Sequence, residues 1–121
     1  KGEGVNLALA TLASGGAWSK FEAICQAQGG LRVPPKAAYA HPLTAPHAGR
    51  VVHINNRKLS RLAKLAGAPE AKGAGVHMEV RLGDEIDRGQ PLLHVHAETT
   101  GELAYALDYA ARAGDIVEVE A

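Results

Sequence analysis

Apolar positions along the chain follow a helical rhythm at first and lose it near Ala37. Residues 5–13 are rich in alanine and leucine, Ser14, Gly15 and Gly16 interrupt them, and Trp18, Phe21, Ile24 and Cys25 resume. That second set has the i, i+3, i+6, i+7 spacing of one helix face. Gly29 and Gly30 end it, because glycine takes the left-handed conformation that closes helices. Residues 1–30 therefore read as two short helices, and residues 31–36, with Pro34 and Pro35, as a connector. Two such helices cannot bury their apolar stripes alone, so they are expected to belong to a larger helical body.

Beyond the connector, residues 37–121 read as one mixed α/β domain. Residues 50–54 are short, β-branched and preceded by a turn-forming stretch from Pro46 to Gly49, which predicts a strand. Asn55 or Asn56 can cap a following helix with Leu59, Leu62, Ala63 and Ala66 on one face and Arg57, Lys58, Arg61 and Lys64 on the other, ended by Gly67 and Pro69. Further strands are predicted at 76–82 and 91–97, with a Gly83-Asp84 turn and a short extended stretch at 85–89 between them. Thr99-x-x-Glu102 is a capping-box pattern that opens a last helix, whose buried stripe is Leu103, Ala106, Leu107 and Ala110. Residues 115–120 alternate as a closing strand. The order of elements predicts an α+β fold.

Charge adds one asymmetry. Residues 1–72 hold ten basic and three acidic side chains, residues 73–121 three basic and ten acidic, so the halves carry +7 and −7 and cancel. No net field favours nucleic acid or an anionic membrane, and the halves would attract each other on folding. Cys25 is the only cysteine, which excludes an internal disulfide and a thiolate metal cage and suits a reducing cytoplasm. No apolar run approaches the roughly 20 residues that cross a bilayer. The chain starts at Lys1 and its one methionine is Met78, so a processed product or a fragment is expected, with an incomplete enzyme among the readings.

Two stretches carry a resemblance. The run from Ser19 through Ile24 to Gln28-Gly29-Gly30 resembles the helix that leads out of the central domain of pyrimidine nucleoside phosphorylases, and Ala48-Gly49-Arg50-Val51-Val52 resembles the first strand of their C-terminal domain. Asn56-Arg57, Ala66-Gly67-Ala68-Pro69, Lys72-Gly73-Ala74-Gly75, Leu82-Gly83-Asp84 and Gly89-Gln90-Pro91-Leu92 follow in the family's order. Asn56-Arg57 before the helix, with Ala66-Gly67-Ala68-Pro69 and Lys72-Gly73-Ala74-Gly75 after it, looks closer to the branch of archaeal-type thymidine phosphorylase and AMP phosphorylase. Val76 follows the Gly-Ala-Gly where the main bacterial branch has arginine, and Asn55 stands in place of an aspartate, departures that bear on the substrate more than on the fold. The resemblance implies a hammerhead-type, barrel-sandwich-like strand core. It also implies an enzyme in which inorganic phosphate, as co-substrate, displaces a base from C1 of a ribose or deoxyribose, with no other cofactor. Related enzymes are dimers or larger homo-oligomers of the cytoplasm. Their phosphate and base groups lie in earlier domains, so no catalytic or substrate-binding residue is carried over to this chain. The loop Lys72, Gly73, Ala74, Gly75 is the segment the resemblance places nearest the cleft.

Each local signal also has a plainer reading. Gly73-Ala74-Gly75 could offer backbone donors to an anion, but it lacks P-loop or dinucleotide spacing and precedes a strand, so a structural loop is favoured. His94 and His96 would share one side of a strand, yet no spacing supplies the further ligands, His53 or His77, that a metal would need. Cys25 reads as a small buried hydrophobe, and the basic face of the 56–66 helix as a solvated surface. The strongest rival is a biotinyl or lipoyl carrier half-repeat, suggested by Ala45-Pro46-x-x-Gly49-x-Val51 and Leu82-Gly83-Asp84-x-Ile86. It needs an acceptor lysine, and the stretch after Leu92 is His94-Val95-His96-Ala97-Glu98. A free-standing assembly module is the third reading.

Overall fold

Two helices, α1 (Glu3–Ala13) and α2 (Gly16–Ala27), occupy the two runs with helical apolar spacing in a computed structural model that describes residues 2–121. Gly15, at φ 77°, makes the left-handed turn between them. Trp18 and Phe21 lie one turn apart on α2 with ring centroids at 5.6 Å. Neither helix has a buried residue, and Leu7 and Trp18 remain 69% and 56% exposed. The pair belongs to one of two units into which the chain divides, the break falling between Val33 and Pro34.

The second unit contains β1 (Tyr39–Thr44), β2 (Gly49–Ile54), α3 (Asn56–Leu65), β3 (Gly75–Met78), β4 (Glu85–Ile86), β5 (Pro91–Ala97), α4 (Thr100–Arg112) and β6 (Val117–Glu120). The strands form two antiparallel sheets, ordered β1-β5-β3 and β4-β2-β6. The α+β expectation is met. The barrel-like expectation holds only as two small sheets, with no closed barrel. Both sheets and both helices feed one core that includes Val51, Leu62, Ala66, Ile86, Leu93, Val95, Ala106 and Val117. No polar or charged residue is buried among the described residues.

Strand β5 shows how alternation becomes burial. Leu93, Val95 and Ala97 are at most 1% exposed, while His94 and His96, on the opposite face, are half-buried. Its bounds match the predicted strand, whereas two other strands depart most from expectation. The strand expected at 76–82 stops at Met78: the Glu79 amide still donates to the Leu92 carbonyl at 3.0 Å, then Val80 turns into the core and the chain leaves for the Arg81–Asp84 turn. Strand β1 was not assigned from the sequence at all. It carries Pro42 and no apolar alternation, which an edge strand tolerates because its outer edge needs no amide donor. It is recognisable only through its partner, with Tyr39 opposite Ala97 and His41 opposite Val95.

The starts of α3 and α4 follow from side-chain caps. Asn55, not Asn56, caps α3, its Oδ1 accepting from the Lys58 amide at 3.1 Å. At α4 the Thr99 hydroxyl oxygen accepts from the Glu102 amide at 3.2 Å. The Thr99 hydroxyl in turn donates to the Glu102 carboxylate at 2.8 Å, so the expected reciprocal bond runs from the hydroxyl and not from the Thr99 amide. Thr99→Ala removes both bonds and should cost about 1 kcal/mol, as N-cap losses do. Urea unfolding followed by circular dichroism checks it; an unchanged midpoint would mean the cap is idle.

Candidate functional site

The loop of residues 72–75 is built by a short cascade of turns after α3. Gly67, at φ 115°, ends the helix, the Ala71 amide donates to the Gly67 carbonyl at 2.9 Å, and the Ala74 amide donates to the Ala71 carbonyl at 3.1 Å. Lys72 projects outward and its Nζ donates to the Pro69 carbonyl at 3.1 Å, leaving its charge at the surface. Gly75 begins β3 opposite His96 of β5.

Gly73 is the constrained member. Its amide donates to Glu98 Oε1 at 2.8 Å. A Cβ there would lie 2.9 Å from the Ala37 amide nitrogen. The donor that an anion would need is thus committed to a carboxylate of the same chain, which also places negative charge beside it. A nest for an anion requires free amides, so this geometry favours the structural reading of the glycines. Around the loop lies an open depression of about 520 Å³ whose rim includes Lys36, His77 and His96.

The histidines are partly gathered. On the face of the β1-β5-β3 sheet that carries His94, its Nδ1 lies 2.9 Å from Glu79 Oε1, and His77 Nε2 lies 3.7 Å from the same oxygen. His96 follows with its ring centroid 6.3 Å from that of His94. His53 lies on the other sheet, opposite Glu118, so it joins no such group. Among the described residues no set of three or more His, Cys, Asp or Glu side chains could hold a metal ion. Sequence reasoning overlooked Glu79, although its place two residues after His77 marked it as a neighbour on the same side of the chain.

The basic face of α3 is where the helical periodicity puts it. Arg57, Ser60, Arg61 and Lys64 border an open surface depression of about 520 Å³, and the Arg61 guanidinium sits 5.5 Å from the centre of the Tyr109 ring. Lys58 turns aside to donate to the Asp115 carbonyl at 3.1 Å. The expected attraction between the basic and acidic halves is expressed sparingly. Among the described residues Arg50 and Glu85 form the one Lys or Arg ion pair that links them, at 2.6 Å. Both side chains are more than half exposed, and such pairs contribute about 0 to 1 kcal/mol. The core, and not the charge balance, holds the unit together.

An apolar depression of about 460 Å³, which the sequence did not signal, opens beside the C-terminal end of α4 between Leu43, Leu92, Leu107 and Ile116. Cys25 is half-buried and unbridged on α2. Among the described residues no helix is long and apolar enough to cross a membrane.

Comparison with known proteins supplies the context that the geometry lacks. Residues 50–117 match the family described as the pyrimidine nucleoside phosphorylase C-terminal domain, so the match runs from β2 to the start of β6. A protein of Chelativorans sp. named as a thymidine phosphorylase is 85% identical over 121 residues, which is the whole of this chain and 24% of that protein. One from Tolumonas auensis with the same name is 60% identical over 120 residues, covering 99% of the chain and 24% of its own length. One from Maricaulis maris is 47% identical over 119 residues, covering 98% and 23%. The chain spans about a quarter of the length of the relatives it matches.

Proposed function

Because the chain belongs to the pyrimidine nucleoside phosphorylase C-terminal domain family, we propose that it is the closing lobe of an enzyme that splits a nucleoside or nucleoside monophosphate with inorganic phosphate. The products are the free base and the sugar 1-phosphate. The observation that carries this reading is the family match across the strand and helix core of the second unit, together with 85% identity along the whole chain to a protein that bears the thymidine phosphorylase name.

On this reading the groups that hold phosphate and help the base depart lie outside these 121 residues, and this unit contributes shape. A stiff α+β lobe that closes over a cleft drives out water and brings phosphate and nucleoside into register. The second unit suits that role: it has one continuous apolar core and no unpaired buried polar side-chain atom among the described residues. The loop Lys72, Gly73, Ala74, Gly75 faces the cleft in this proposal, with the exposed Lys72 ammonium adding positive potential near the phosphate. The assembled enzyme is a cytoplasmic homo-oligomer. The succession from Asn56-Arg57 to Lys72-Gly73-Ala74-Gly75 supports a place in the branch that includes archaeal-type thymidine and AMP phosphorylases. A carrier role finds no support, because no lysine occupies the stretch after Leu92.

Product analysis tests the proposal. The purified 121-residue chain should release no base from thymidine, uridine or AMP in the presence of phosphate. The full-length parent should release base only when phosphate is added, with sugar 1-phosphate in equal amount. In that parent Lys72→Ala should raise the KM for phosphate severalfold while kcat changes little. Phosphate-dependent base release by the isolated chain would overturn the lobe reading, and an unaltered phosphate KM would remove Lys72 from the cleft.

A further inference from the structure

Residues 34–37 form neither helix nor strand, yet the chain is gripped where it enters the second unit. A Cβ on Gly73 would lie 2.9 Å from the Ala37 nitrogen, 3.1 Å from the Lys36 carbonyl carbon and 3.2 Å from the Ala37 Cα. All three are backbone atoms, so no rotation of a side chain could make room. The bare Cα of Gly73 is therefore one wall of a slot through which the connector passes. That wall is itself anchored, because the Gly73 amide donates to Glu98 Oε1 at 2.8 Å. Glu98 follows directly on β5, and its neighbour Ala97 pairs with Tyr39, the first residue of β1. The connector, the loop and the end of β5 thus meet at one place, although they are far apart in sequence.

We propose that Gly73 and Glu98 form a clasp that holds residues 36 and 37 of the connector against the rest of the second unit. The glycine supplies close approach and the carboxylate supplies the tie. Alanine at 73 pushes the connector out, and loss of the carboxylate frees the loop to retreat from it. The inference concerns the connector alone and stands whatever reaction the parent performs.

Trypsin reports on it directly, because bonds on either side of Pro34-Pro35 are tryptic sites: Arg32–Val33 lies before the proposed grip and Lys36–Ala37 inside it. Each cleavage rate is normalised to the same bond in the urea-unfolded chain. In the wild-type chain Arg32–Val33 should be cut at least about tenfold faster than Lys36–Ala37, the size expected if opening costs one hydrogen bond to a charged acceptor. Gly73→Ala and Glu98→Ala should each raise cutting at Lys36–Ala37 by about tenfold relative to Arg32–Val33, whereas Glu98→Gln, which keeps an acceptor oxygen, should stay near wild type. Equal rates at the two bonds in the wild-type chain would overturn the clasp. So would an unchanged ratio in both alanine variants. If a variant unfolds throughout, its Arg61–Leu62 bond is cut as fast as the others, and the wild-type ratio then decides alone.

Discussion

Leu62→Ala should lower the unfolding free energy of the second unit by about 2–5 kcal/mol, the range for truncating a fully enclosed leucine. Leu62 is 0% exposed and is the one residue of α3 that is fully buried, on the helix that meets both α4 and β3. The cost has two parts: lost transfer of three carbons' worth of surface from water, and a cavity that the surroundings do not fill. Collapse around this position is hindered because the other members of the cluster come from separate segments, among them Ala66 at the end of α3, Ala106 of α4 and Val95 of β5, each already closed to solvent. Leu62→Met conserves most of the volume and should cost less than about 1.5 kcal/mol. The single tryptophan, Trp18, lies in the helical unit, so its fluorescence reports on the wrong part of the chain. Far-UV circular dichroism in urea, with tyrosine fluorescence from Tyr39, Tyr105 and Tyr109, follows the second unit. Equal midpoints for the alanine and methionine variants would show that Leu62 is not a packing keystone.

Gly49→Ala is the second large effect, and it comes from crowding. A Cβ at this position would sit 2.1 Å from the Glu120 carbonyl oxygen and 2.7 Å from its carbon. These are backbone atoms of β6, and β2 is the central strand of its sheet, so the strain cannot be relieved on the β2 side without disturbing β4 as well. Relief comes by driving back the end of β6, which exposes Val119 and breaks the pairing of Arg50 with Glu120. We expect a loss of roughly 1–3 kcal/mol, typical of overpacking. Amide exchange across Val117–Glu120 should accelerate more than exchange in β5. Protection of β6 equal to that of the wild type would mean the two strands can part without cost, contrary to the contact distances.

The two effects differ in how visible they are beforehand. Leu62 announces itself, because Leu59, Leu62, Ala63 and Ala66 recur with the helical period and the cations occupy the other face. Gly49 announces only a turn. Its need for the absence of a side chain arises from a strand that begins 68 residues later at Val117, and no local pattern carries that information. The candidate loop repeats the contrast. Its glycines are plain in the sequence, but the partner of the Gly73 amide is Glu98, 25 residues away, and that pairing turns an apparent anion cradle into a structural joint.

What the amino-acid order determined by itself had a short period: the helices, a cap at Asn55 or Asn56 and another at Thr99, the limits of β5, and the succession of glycine-punctuated segments that marks the family. Such features depend on residues within a few positions of each other, so neighbours alone encode them. Only the tertiary structure decided that residues 39–44 form a strand despite Pro42, that β5 lies between β1 and β3, and that Glu79 stands beside two histidines. Those outcomes depend on which distant segments the shared core draws together, and each becomes favourable only once that core has closed.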